Sequence, residues 1–190
     1  MSSASSWIWT GSHRTRSRAN LPVDLAVVFT DLEGFTAFTS AEGDHAAGRL
    51  LLAHYRHAEQ ITSTRGGRIV KRLGDGLLLV FASPAAAVLT CLELRATAPL
   101  PLRAGVHRGG VNVTADGDVV GNVVNLASRV AASARPGELL VTDDVRMAAA
   151  FLSCLVFDSP TTRRFKGIDE VVPVSATSRT ACDWSPTEPH

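Results

Sequence analysis

Apolar and polar positions fall into blocks along this chain, and the period of the blocks switches between strand-like and helix-like. Val23 to Thr30 is a short, nearly all-apolar run rich in valine, the pattern of a central strand buried on both faces. From Gly43 to Arg65 the apolar residues Ala47, Leu50, Leu51, Ala58 and Ile61 recur at spacings of three, four and seven. That stripe predicts a helix, which Gly66-Gly67 ends. Arg68 to Lys71 and Leu77 to Phe81 read as two strands joined through Leu73-Gly74-Asp75-Gly76, a hairpin. Ser83 and Pro84 are an N-cap and a first helical residue for a helix running to Ala98, closed by Pro99 and Pro101. Leu102 to His107 and Val111 to Thr114 predict two further strands. A helix follows from Asn122 to Ala134, then a strand from Glu138 to Val141, a short helix from Thr142 and a β-rich finish to Thr177.

The order strand–helix–strand–strand–helix–strand predicts an α+β fold, a ferredoxin-like antiparallel sheet with helices on one face. At 190 residues the chain can build one well-filled core, placed here over residues 21–177. Residues 1–20 read as a flexible leader, because Trp7, Ile8 and Trp9 precede Arg14, Arg16 and Arg18 in the wrong order for a secretory signal. Residues 178–190, with Pro186 and Pro189, read as a disordered tail.

Composition narrows the class. The hydrophobic share of 45% and the charged share of 19% are those of an ordinary globular domain. A net charge of +1 supplies no global field to recruit nucleic acid, and no apolar run approaches the ~20 residues that span a bilayer. Cys91, Cys154 and Cys182 are far apart and odd in number. They match neither a disulfide framework nor a zinc spacing, which points to a reducing cytoplasm.

The candidate chemistry starts from two aspartates, Asp31 and Asp75, each beside glycine where an apolar strand meets a turn. A carboxylate at the end of a buried strand is costly unless its charge is compensated. Two brought together repel unless a divalent cation lies between them. Taken singly, Asp31 reads as a helix cap and Asp75 as a turn residue; together, with glycines that let backbone N–H groups approach an anion, they read as a metal-plus-phosphate site. Farther on, Asn125 and Arg129 are four apart on the expected helix and share one face. They are suited to a ribose hydrogen bond and a bidentate phosphate contact, or else belong to a solvated helix face.

Several blocks resemble the signature segments of class III nucleotidyl cyclase catalytic domains, most closely the bacterial adenylate cyclases. They are Phe29-Thr30-Asp31-Leu32-Glu33-Gly34-Phe35-Thr36, Lys71-Arg72-Leu73-Gly74-Asp75, Gly105-Val106-His107-Arg108-Gly109, Val124-Asn125-Leu126-Ala127-Ser128-Arg129 and Arg164-Phe165-Lys166-Gly167. The resemblance covers roughly residues 23–176 and implies a set of roles. Asp31 and Asp75, with the Leu32 carbonyl, would hold two divalent cations, Mg2+ or Mn2+. Lys71 and Asp118 would select the base, with Asp116 the rival for the second position. Asn125 would orient the ribose, Arg129 would stabilise the transition state, and Lys166 would hold the terminal phosphates. Backbone N–H groups around Gly34, Phe35 and Thr36 would cradle the triphosphate.

The implied reaction closes ATP to 3′,5′-cyclic AMP and pyrophosphate. Adenine offers N1 as acceptor and the 6-amino group as donor, which suits a lysine and a carboxylate; guanine inverts that pattern, and a buried mismatch discriminates strongly. The resemblance also implies a head-to-tail homodimer in which each site draws on both chains, and a C2 pair is the simplest closed arrangement. Three other readings stand beside this one: a guanylate cyclase, a diguanylate-cyclase-like enzyme and a non-catalytic nucleotide-binding module of the same fold. The chain fits the second poorly, since it lacks a Gly-Gly-Asp-Glu-Phe turn.

Overall fold

The structure is a computed structural model that describes residues 22–180. The expected leader and most of the expected tail lie outside the described residues. The elements run β1 (Val23–Leu32), α1 (Phe35–Thr64), β2 (Gly67–Leu73), β3 (Gly76–Phe81), α2 (Pro84–Thr97), β4 (Leu102–Val113), β5 (Val119–Val120), α3 (Asn122–Ala132), β6 (Leu139–Thr142), α4 (Asp143–Ala149), β7 (Leu155–Phe157), β8 (Thr161–Arg164) and β9 (Val171–Arg179). The sheet has the order β2-β3-β1-β4-β6-β9-β7, with β5 on β4 and β8 on β9. Every pairing is antiparallel except β4 with β6. This is the expected α+β architecture, with valine-rich β1 at its centre between β3 and β4.

Strand alternation sorts the core into two faces. Ala26, Val28, Leu32, Leu77, Leu79 and Phe81 point to one face, where Ala58 and Ile61 of α1, Val88 and Cys91 of α2 and Val145 of α4 cover them. The expectation of helices on one face holds for these three. Helix α3 covers the other face, where Val27, Leu78 and Val80 meet Val123, Val124 and Ala127. Its approach is close enough that a Cβ at Gly105 would stand 2.2 Å from the Ala131 nitrogen, so β4 needs glycine there. Val130, fully buried on the same side, is one of the anchors that fix α3, worth about 1.5–3 kcal/mol for burial of its side chain.

Three local departures have physical reasons. The helix expected from Gly43 begins earlier, at Phe35, and is interrupted at Gly43 itself, so a preceding turn of helix merges with the long one. The two strands expected from Leu102 to Thr114 are one, because β1 pairs with β4 straight through Gly109 and Gly110 up to Val111. Strand β9 takes in Ser178 and Arg179, two residues past the expected end of the domain, where Leu155 and Val156 of β7 pair with them. The Ser83 cap forms as expected, its Oγ accepting from the Ala86 N–H at 3.3 Å.

Candidate active site

The end of β1, the start of α1 and the β2–β3 turn enclose an open cleft of about 430 Å³ lined by Asp31, Leu32, Gly34, Phe35, Thr36 and Asp75, together with Glu33, Ala37 and Arg103. Strand pairing explains the meeting of the two aspartates. Thr30 lies opposite Leu77, so the turn before Gly76 falls beside the last residues of β1. There the Asp75 carboxylate accepts a hydrogen bond from the Leu32 N–H. Burial raises the Asp75 carboxyl above its ordinary value, and the charge of Asp31 pushes it the same way against the backbone hydrogen bonds and Arg103. Asp31 is answered by a cation from the neighbouring strand. In register with it on β4, Arg103 donates from Nε and Nη2 to one Asp31 oxygen at 2.9 and 2.5 Å. The same guanidinium reaches Glu33 at 3.5 Å.

The donor set fits Mg2+ or Mn2+. It consists of hard oxygens from two neighbouring carboxylates and a backbone carbonyl, the ligands such ions prefer. No cluster of three or more His, Cys, Asp or Glu side chains that could cage an ion occurs among the described residues. Beside the donors, Gly34 caps α1 in the left-handed region, φ 80°. The N–H groups of the first helical turn therefore open toward the cleft with the positive end of the helix dipole.

The remaining expected residues fall elsewhere on the chain. Lys71 lies opposite Leu78 on the hairpin and so belongs to the sheet face that α3 covers. Its Nζ donates to Asp118 Oδ2 at 2.5 Å. Asp118 precedes β5, where its other oxygen accepts from the Val119 N–H at 2.8 Å. The Lys71 hydrogen bond, followed by that of Val119, holds the Asp118 carboxyl below its usual range. Asp116, the rival, is turned to its own loop and accepts from the Thr114 hydroxyl at 2.5 Å. Asn125 and Arg129 stand exposed on one face of α3, and neither side chain bonds to another of the described residues. Lys166 is exposed on the turn after β8, closed by the Ile168 N–H to the Phe165 carbonyl at 3.1 Å. None of these six lines the carboxylate cleft.

Two participants escape a reading of the sequence. Arg103 is a lone charge in the apolar run Leu102 to Val106, and that interruption is its one visible signal; its partner is 72 residues away. Tyr55 lies within the helical stripe, yet its hydroxyl donates to the Gly74 carbonyl of the Asp75 turn.

Comparison with known proteins bears on the family and the fold. The family model of the adenylate and guanylate cyclase catalytic domain matches residues 20–164. A pH-sensitive adenylate cyclase of Mycobacterium tuberculosis is 39% identical over 134 residues, which take in 65% of this chain and 32% of that protein. The chain thus spans about a third of the length of such curated relatives. Among solved structures, the adenylyl cyclase CyaB from P. aeruginosa superposes with a TM-score of 0.77 at 23% identity, covering 85% of this chain and 97% of that one. A guanylate cyclase domain from Catenaria anguillulae gives 0.74 at 21% identity, covering 85% and 99%. At these identities the two structures speak to the fold.

Proposed function

The chain belongs to the adenylate and guanylate cyclase catalytic-domain family, and from that premise we propose that it is an adenylate cyclase. In this reading it converts ATP to 3′,5′-cyclic AMP and pyrophosphate in sites shared by two copies paired head to tail. The Lys71–Asp118 pair carries the choice of ATP. It sets an N–H donor beside a carboxylate acceptor, the complement of adenine N1 and the 6-amino group, and a guanine there would leave polar groups unpaired. The separation of the residues supports the shared site: the cleft with both aspartates is lined by neither Lys71, Asp118, Asn125 nor Arg129. A second copy related by a two-fold axis would bring one chain's α3 face to the other's cleft.

The residues then divide the work. Asp31, Asp75 and the Leu32 carbonyl would hold Mg2+ or Mn2+, which when bound lowers the pKa of the 3′-hydroxyl and neutralises the leaving phosphates. N–H groups of Phe35, Thr36 and Ala37 hold the triphosphate at the start of α1. Asn125 from the partner copy fixes the ribose so that O3′ stands in line with the α-phosphorus. The O3′–P bond forms as the bond to the β-phosphate oxygen breaks, and the hydroxyl proton leaves to solvent. Arg129 meets the charge that builds on the α-phosphoryl oxygens, and Lys166 binds the terminal phosphates. Purified protein incubated with Mn2+ or Mg2+ and ATP should release cyclic AMP, and far less cyclic GMP from GTP. Faster cyclic GMP formation at matched concentrations would make it a guanylate cyclase, and nucleotide binding without turnover would make it a regulatory module.

A further inference from the structure

The β2–β3 turn that carries Asp75 has two residues, Gly74 and Asp75, between the paired Leu73 and Gly76. Asp75 sits at the tip of this tight turn, so the place of the turn sets where its carboxylate lies relative to Asp31. The turn is tied to α1 by Tyr55, whose hydroxyl donates to the Gly74 carbonyl. Tyr55 is itself held in place. Its ring packs against the core under the sheet, next to His54, which is 4% exposed. The Arg72 guanidinium stacks over the ring at 4.9 Å from its centre, an attractive placement for a cation. Arg72 also reaches Glu59 at 3.7 Å, one helical turn beyond Tyr55.

We propose that Tyr55 is a positioning residue for catalysis: its hydroxyl fixes the Gly74 carbonyl and so sets the Asp75 carboxylate at the distance from Asp31 that a divalent cation requires. This rests on the reading of Asp31 and Asp75 as metal ligands. Burial pushes the Tyr55 hydroxyl up from its ordinary value, against the pull of Arg72, so it remains a donor at every pH at which the enzyme would work. Tyr55 is the sole tyrosine of the chain, and Tyr55→Phe removes one oxygen while the ring keeps its core contacts and its guanidinium.

The test titrates the full chain with Mn2+ alone and reads free ion by electron paramagnetic resonance, for wild type, Tyr55→Phe and Asp75→Ala. A lost neutral hydrogen bond of ordinary strength should weaken Mn2+ binding by about fivefold in Tyr55→Phe. The kcat at saturating metal should fall to a similar extent with KM for ATP unchanged, and the melting temperature should stay near that of wild type. Asp75→Ala should lose the site. Tyr55→Phe with wild-type Mn2+ affinity, while Asp75→Ala loses it, would overturn the role of Tyr55 and leave the metal reading standing. Asp75→Ala that binds Mn2+ as wild type does would overturn the metal reading and the Tyr55 inference with it.

Discussion

The carboxylate cleft and the outer face of α3 are built on opposite electrostatic terms. In the cleft each functional group is held by the chain itself: Asp31 by Arg103, Asp75 by the Leu32 N–H, and the turn behind Asp75 by Tyr55. On α3, Asn125 and Arg129 stand in solvent without an internal partner. Lys71 and Asp118 are bound chiefly to one another. Two carboxylates side by side repel and need a local cation merely to stay folded together, whereas separate polar groups on a helix are satisfied by water. On the proposed reading, the cleft is prepared before any ligand arrives, and the α3 face would meet a ligand held by the partner copy.

That contrast can be broken most severely at Arg129. Arg129→Ala should lower kcat by about 10²–10³-fold, the effect of removing one preorganised charge from a transition state, with the melting temperature unchanged because its guanidinium makes no hydrogen bond or ion pair among the described residues. A marked loss of stability would show that α3 is not a free surface at this position. Next in size is base selection. Lys71→Ala should lower kcat/KM for ATP by about 10–100-fold while binding of inorganic triphosphate holds, and Lys71→Glu with Asp118→Cys should shift preference toward GTP. Equal losses for ATP and triphosphate would remove Lys71 from the base site.

Smaller effects come from the cleft. Arg103→Met leaves Asp31 beside Asp75 without its cation. The pair is 29% and 35% exposed, so screening reduces the loss to about 1 kcal/mol, or about 2–4 °C in melting temperature; added Mn2+ should restore more stability to this variant than to wild type. A metal-free melting temperature equal to that of wild type would mean the ion pair is idle. The smallest effect is one of pH. Because the Asp75 carboxyl is raised in the fold, its protonated form favours folding below the unfolded value of 3.8, and that contribution is lost as pH rises through the folded value. Metal-free Asp75→Asn should therefore melt above wild type at neutral pH, and the difference should close on acidification. A difference that widens in acid would reverse the assigned cause.

The parts legible in the sequence are those whose signal is local. The valine run gave β1, Ser83-Pro84 marked the start of α2, and glycines beside Asp31 and Asp75 marked the turns. What the sequence hides is long-range. The stripe Val123, Val124, Ala127 and Val130 says that α3 is amphipathic, but not which face of the sheet it covers; that depends on Gly105 admitting it. Arg103 and Tyr55 reach partners 72 and 19 residues away, and no pattern within a strand or helix encodes such a meeting. That Lys71 pairs with Asp118 and not with Asp116 depends on how a short hairpin lies over Lys71, which two residues of sequence cannot express.

The claim that Asp31 and Arg129 serve one site from different copies is tested most directly by mixing two dead proteins. Asp31→Ala and Arg129→Ala should each be nearly inactive, since every site in either homodimer lacks one essential group. In a mixed dimer one site carries both lesions and the other carries neither. With random exchange about half the dimers are mixed and each has one intact site, so activity should return to about a quarter of wild type, provided the subunits exchange. No recovery in a sample with verified heterodimers would mean that each chain builds its site alone.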